Sequence, residues 1–120
     1  MSRRIRTILD KIMQEAAALA QIVHQLDESA FLQSEITMRA TCMTLINIGE
    51  LVKNLDDDFR ASHKHVPWRD IAGFRDVAAH GYFTLRMEEV WIYASKELPV
   101  LVAQIKDILD NKEQDDEIAD

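Results

Sequence analysis

The sequence predicts an all-α protein, an up-down four-helix bundle, on three observations. Apolar residues recur at helical spacing over long stretches, with polar residues between them. The connections between these stretches are short, which places consecutive helices side by side and antiparallel. Only three Gly and two Pro occur in 120 residues, too few punctuators for an all-β fold with many turns.

The first helix is predicted from Ser2 to Leu26, with Ile5, Ile8, Leu9, Ile12, Ala16, Leu19, Ile22, Val23 and Leu26 on one stripe. Asp27-Glu28-Ser29 breaks it, and Ser34 reads as the N-cap of the second helix. That helix carries Ile36, Ala40, Met43, Ile46, Asn47, Leu51, Val52 and Leu55, and around Thr44 to Ile48 it is apolar on more than one side. A helix of that kind belongs at the centre of a bundle. A short helical piece around Asp57 to Ala61 follows, then a loop, Ser62 to Val66, leading to Pro67 in the first turn of the third helix. The third helix runs from Trp68 to about His80 and is stopped by Gly81, read as a C′ residue. Thr84 caps the fourth, whose stripe is Val90, Trp91, Ala94, Leu98, Leu101, Ile105, Ile108 and Leu109. Pro99 lies inside that pattern and must kink or split it.

Composition narrows the function. At this length the chain is one domain with a core of its own. The lone Cys42 excludes an internal disulfide and a cysteine-based zinc site, and Cys42 reads as a small core residue. No apolar run reaches the ~20 residues that span a bilayer, and the start, Met-Ser-Arg-Arg-Ile-Arg, is not followed by an apolar signal segment. A cytoplasmic location is expected. The net charge of −7 argues against broad electrostatic capture of nucleic acid. Residues 112–120 contribute five acidic side chains and one basic, so 1–111 is read as the helical domain and 112–120 as an acidic, frayed tail. Any action on RNA must therefore come from a local basic site.

The segment Pro67-Trp68-Arg69-Asp70-Ile71-Ala72-Gly73-Phe74-Arg75-Asp76-Val77-Ala78-Ala79-His80-Gly81-Tyr82-Phe83 offers one. Arg75 supplies a fork that matches phosphate oxygens and stays charged. His80 has an unperturbed pKa near ~6.5, suited to proton transfer at neutral pH. Asp76 lies four residues before His80, on the same helix face, where it can hold the imidazole. On an ideal helix Arg75 and His80 are separated by about 7.5 Å of rise and point roughly 140° apart, so they are not simple neighbours. A two-fold interface would bring them together better than one helix does. By pattern alone an Arg followed five residues later by a His is weak, and a solvated Arg with a His at a helix C-terminus is the better explanation.

The surroundings are more specific. The stretch from Ile46 to Leu101 resembles the HEPN superfamily, and within it the HepT-like toxins. Their Arg-x4-His-x-Tyr motif is matched by Arg75, His80 and Tyr82, with Asp76 as the polar residue after the Arg. The flanks agree in order and spacing: Ile48-Gly49-Glu50, Pro67-Trp68, Ile71, Gly73, Gly81, Phe83, Val90-Trp91 and Leu98-Pro99. One departure is the pair Ala78-Ala79, where bulkier apolar residues are usual. The resemblance implies a homodimeric, metal-independent endoribonuclease with its active site at the interface, in a type VII-like toxin–antitoxin system. Arg75 and His80 would be catalytic, with Asp76, Glu50 and Tyr82 orienting substrate. It further implies a cognate MntA-like nucleotidyltransferase antitoxin that silences the enzyme by attaching AMP to Tyr82. The competing reading is a non-catalytic HEPN subunit that binds nucleotide or scaffolds a nucleotidyltransferase.

Other side chains read more plainly. His63 and His65 stand two apart in a loop with no third ligand at metal spacing, and no Glu-x-x-His pair exists for a di-iron bundle. No cofactor is expected. Trp68 and Trp91 read as core. Arg3, Arg4 and Arg6 read as an exposed helix start, with contact to RNA phosphate or an acidic partner as the sharper alternative.

Overall fold

The computed structural model describes residues 1–119, and of Ala79, His80, Phe83 and residues 112–119 it describes the backbone only. The described residues are helical, without a strand, as the apolar periodicity predicts. Seven α-helices follow in order: α1 (Arg3–Val23), α2 (Glu28–Leu32), α3 (Glu35–Lys53), α4 (Asp57–Ser62), α5 (Trp68–His80), α6 (Met87–Ile92) and α7 (Leu98–Ala119). The bundle is built from α1, α3, α5 and the α6–α7 rod. Among these, α3 lies at the centre, packed on α1 along one side and on α5 along the other.

Local chemistry explains each boundary. Ser2 caps α1 by accepting from the Ile5 amide at 3.1 Å. The helix stops at Val23, short of Leu26, because Asp27 must be extended to cap α2, where its Oδ1 accepts from the Ala30 amide at 2.8 Å. That short helix was not anticipated. Its reason is Phe31, which is fully buried and lies 5.2 Å from the Trp91 ring. Ser34 caps α3 as expected, accepting from the Thr37 amide at 3.2 Å. The piece expected at Asp57 to Ala61 is α4, which places Phe59 against Trp68 and the His63 ring. Trp68 is buried, and its Nε1 donates to the His63 carbonyl at 3.0 Å.

Two expectations beyond α5 are corrected. Gly81 ends the helix, but at φ −160° it is extended, not left-handed, so no glycine conformation is exploited there. Thr84 does not cap the next helix. Its hydroxyl and amide both donate back to the Gly81 carbonyl, at 2.7 and 3.0 Å, closing a 3₁₀ turn over Tyr82–Thr84. The following helix starts only at Met87, where Glu88 and Glu89 favour the positive helix end.

Pro99 acts as expected, though by widening the helix rather than breaking it. It lacks an N–H to offer the Ser95 carbonyl. The chain between α6 and α7 takes a π-helical turn over Tyr93–Glu97 and continues without a gap. The wholly buried side chains Leu9, Ile12, Leu19, Ile48, Val52 and Ile105 form the centre of the core, drawn from α1, α3 and α7. Cys42 is buried beside Met87 (Sγ–Sδ 4.0 Å), and burial pushes its thiol up to about 11. Among the described residues no helix is long and apolar enough to cross a membrane. The side chains of the acidic stretch 112–120 lie outside the described residues.

Candidate active site

The site begins at the crossing of α3 and α5. Gly49 is buried there, and a Cβ built on it would meet the Arg75 Cβ at 2.5 Å and the Ile71 carbonyl at 3.0 Å. Only a residue without a side chain lets the two helices approach this closely. The approach fixes where Arg75 leaves α5: over α3, one residue from Glu50.

A chain of alternating charges follows. Glu50 Oε2 lies 2.9 Å from Arg75 Nε, and Asp76 Oδ1 lies 3.3 Å from Arg75 Nη1. Lys53 Nζ donates to the same Asp76 oxygen at 2.8 Å. The Arg75 Nε is buried and has no hydrogen-bond partner, so its contact with Glu50 is a charge pair by distance whose angle is not that of a hydrogen bond. The Lys53 bond, aided by the Lys53 and Arg75 charges, holds the Asp76 carboxyl below the usual carboxylate range. Asp76 therefore stays ionised at neutral pH. The Arg75 side chain is 34% exposed and its partners more so. Partly exposed pairs of this kind contribute only about 0–1 kcal/mol each. They are strong enough to hold a rotamer and weak enough to yield to a phosphate.

Tyr82 lies elsewhere. Its ring sits under the Arg39 guanidinium, 5.2 Å from the centroid, on the first half of α3. From Arg39 to Glu50 is about 16 Å along the helix at ~1.5 Å per residue. Within the chain the Arg39 guanidinium lies over Tyr82, and the Arg75 ion pairs lie about three turns further along α3. Tyr82 is half-buried, and burial, with the fields of Cys42 and Glu35 against that of Arg39, raises its hydroxyl above the ordinary tyrosine value. Tyr93 is likewise raised, chiefly by burial, and stacks on Phe74 at 5.7 Å.

Of the residues singled out in the sequence, the structure brings together Arg75, Asp76 and Glu50. It sets Tyr82 several turns away along α3, and the His80 side chain lies outside the described residues. The carboxylate of Asp76 is engaged by Lys53 and Arg75. Sequence reasoning missed Lys53 and Arg39. The signal for Lys53 was its place three residues after Glu50, on the same face of α3. Arg39 gave no such sign, because its contact depends on where the 3₁₀ turn carries Tyr82. Arg4 pairs with Asp56 at 3.0 Å and donates to the Asn54 carbonyl at 2.6 Å, tying α1 to the end of α3. His63 and His65 have ring centroids 6.1 Å apart, and no group of three metal-ligating side chains forms among the described residues.

Comparison with known proteins gives the family of the chain. Residues 12–108 match the family described as Ribonuclease HepT-like. A protein of Caldanaerobacter subterraneus subsp. tengcongensis, named a putative RNase, is 39% identical over 104 residues, covering 87% of this chain and 93% of its own. Another protein so named, from Methanocaldococcus jannaschii, is 30% identical over 113 residues, covering 94% and 93%. One of Thermococcus cleftensis, named a probable ribonuclease HepT, is 29% identical over 101 residues, covering 84% and 92%. No solved structure matches the chain. With Arg75, His80 and Tyr82 in the matched span and Arg75 seated over Gly49, the chain belongs to the HepT-like ribonuclease family.

Proposed function

We propose that this protein is a metal-independent endoribonuclease toxin that works as a homodimer, with Arg75 and His80 as its catalytic pair. The observation that carries the reading is the Arg75 fork, seated over Gly49 and held by Glu50 and Asp76, in a chain of a ribonuclease family. The reaction follows from the residue types. His80 takes the proton of a ribose 2′-OH, the 2′-oxygen bonds to the adjacent phosphorus, and the bond to the 5′-oxygen breaks. That oxygen leaves with a proton from a second acid, the partner's His80. Arg75 leaves its carboxylates for the phosphate oxygens, where charge accumulates. The products are a 2′,3′-cyclic phosphate and a 5′-OH.

The dimer reading is supported by apolar side chains left in water along α3. Ile36 and Met43 are 82% and 57% exposed, and with Glu50 they recur every seven residues along one stripe of α3. Two copies meeting on this face would bring both motifs to one cleft.

Cleavage of RNA by the purified protein is expected to survive EDTA. His80→Ala should lower it by at least the ~10²–10⁴-fold of a lost general base. Arg75→Lys should lose most activity, since a point charge cannot copy the fork. Activity that requires added Mg²⁺, or that persists in His80→Ala with unchanged circular dichroism, would refute the mechanism.

Silencing is proposed to run through Tyr82. A cognate MntA-like nucleotidyltransferase would join the Tyr82 oxygen to the α-phosphorus of ATP, releasing pyrophosphate. The raised Tyr82 hydroxyl is protonated at neutral pH, so the transferase must supply the base that removes its proton. Co-expression with a cognate nucleotidyltransferase should add AMP to Tyr82 and not to Tyr93, read by intact mass and peptide mapping, with loss of RNA cleavage. Normal neutralisation of a Tyr82→Phe variant would mean that the antitoxin acts by binding.

A further inference from the structure

A groove opens between α1 and α3 on the far side of Glu50 from Arg75. It is an open groove of about 570 Å³, lined by Lys11, Gln14, Glu15, Ala18, Asn47, Glu50 and Leu51. Glu50 is thus shared by two places: its carboxylate pairs with Arg75 at 2.9 Å, and the residue also lines the groove. A chain whose phosphate lies on Arg75 has this groove as the next space along α3.

The lining chemistry selects what fills it. Ala18 and Leu51 give the lining some apolar surface, and the Gln14 and Asn47 amides each offer donors and an acceptor. Lys11 and Glu15 in the lining offset each other and the Glu50 charge is paired with Arg75, so the groove has no net positive charge to draw in a phosphate. It suits a flat, uncharged group with an apolar face and amino donors on its edge. Those are the properties of an unstacked nucleobase, the part of single-stranded RNA that proteins read by its edges. A carboxylate accepts from an exocyclic amino group, as it does from cytosine N4. Adenine, cytosine and guanine carry such a group and uracil does not.

We infer that the α1–α3 groove is a base subsite of the ribonuclease, taking the base of a nucleotide flanking the cut, with Gln14, Glu15 and Asn47 discriminating amino-bearing bases from uracil. This inference rests on the proposed RNA cleavage, and it assigns specificity to residues outside the Arg-x4-His-x-Tyr motif. All three side chains project from helix surfaces, so their replacement leaves the core untouched.

The purified full-length chain is incubated with an RNA oligonucleotide pool of randomised sequence, and the 5′ ends of the products are sequenced. At one position flanking the cut, uracil should be depleted by about tenfold or more, the scale of one good base-edge contact. The triple variant Gln14→Ala, Glu15→Gln, Asn47→Ala should flatten that position while still cutting. Absence of base preference at every flanking position, or a preference identical in the triple variant, overturns the subsite. A second measurement separates this from failure of the activity itself. The side-chain amide resonances of Gln14 and Asn47 are followed by NMR as a short single-stranded RNA is added. Shifts without cleavage support the subsite and refute the catalytic reading. Cleavage with both amides unmoved refutes the subsite alone.

Discussion

Arg75 is the residue on which the proposed chemistry turns, and its position is set by a residue with no side chain. Removing the void at Gly49 tests this directly. Gly49→Ala would force its methyl against the Arg75 Cβ and the Ile71 carbonyl, neither of which is the mobile end of a side chain. Overpacking of this sort costs about 1–3 kcal/mol, so a fall of several degrees in Tm is expected in thermal unfolding. The same change displaces Arg75, so RNA cleavage should fall further than the loss of folded protein accounts for. A Gly49→Ala protein with wild-type Tm and activity would mean that the α3–α5 contact adjusts without consequence. Lys53 belongs to the same network, yet its bond is solvent-facing. It sets the charge of Asp76 more than the stability of the fold.

At the scale of elements, capping decides where helices begin, and helix starts decide which residues reach the site. Ser34 is the clearest case. It closes the first turn of α3, the helix that carries Gly49, Glu50 and Lys53, and its hydroxyl lies 2.7 Å from that of Thr37. Ser34→Ala should cost about 1 kcal/mol, read as a shift of the urea midpoint with unchanged slope. An unaltered midpoint would show that packing against α1 and α5 alone holds α3 in place. The rod of α6 and α7 shows the opposite balance. Pro99 removes one helical bond, and the π turn over Tyr93–Glu97 absorbs the loss so that Ala94, Leu98, Leu101 and Ile105 all stay buried. Burial of that stripe outweighs one missing hydrogen bond, which is worth about 1 kcal/mol net.

At the scale of the whole molecule, one protomer holds Arg75 in a neutral cluster and presents Tyr82 to Arg39, several turns away. The proposed dimer supplies what one copy lacks, a second motif in the same cleft. Sedimentation at micromolar concentration should show a dimer or larger species. Met43→Lys should shift it toward monomer and reduce cleavage in parallel, since it places like charges on the apolar stripe of α3. A clean monomer that cuts RNA at full rate would exclude the shared cleft.

What the sequence alone determined was the periodic part of the protein. Apolar spacing predicts four long helices and the central place of α3, Ser34 marks a start, and Pro99 marks a disturbance, because each depends on a few neighbouring residues. The Arg-x4-His-x-Tyr order and its flanks also place the chain in its family, since a motif is a local property. The tertiary structure decided the rest. Helix α2 exists because Phe31 finds Trp91, sixty residues on. Thr84 turns back to Gly81 instead of capping, and Arg4 spends its charge on Asp56. Lys53 joins Arg75 through Asp76, and Gly49 becomes essential only when α5 lies against it. These contacts join residues far apart in sequence, and neither helical periodicity nor a local motif carries the crossing geometry that brings them within a few ångströms.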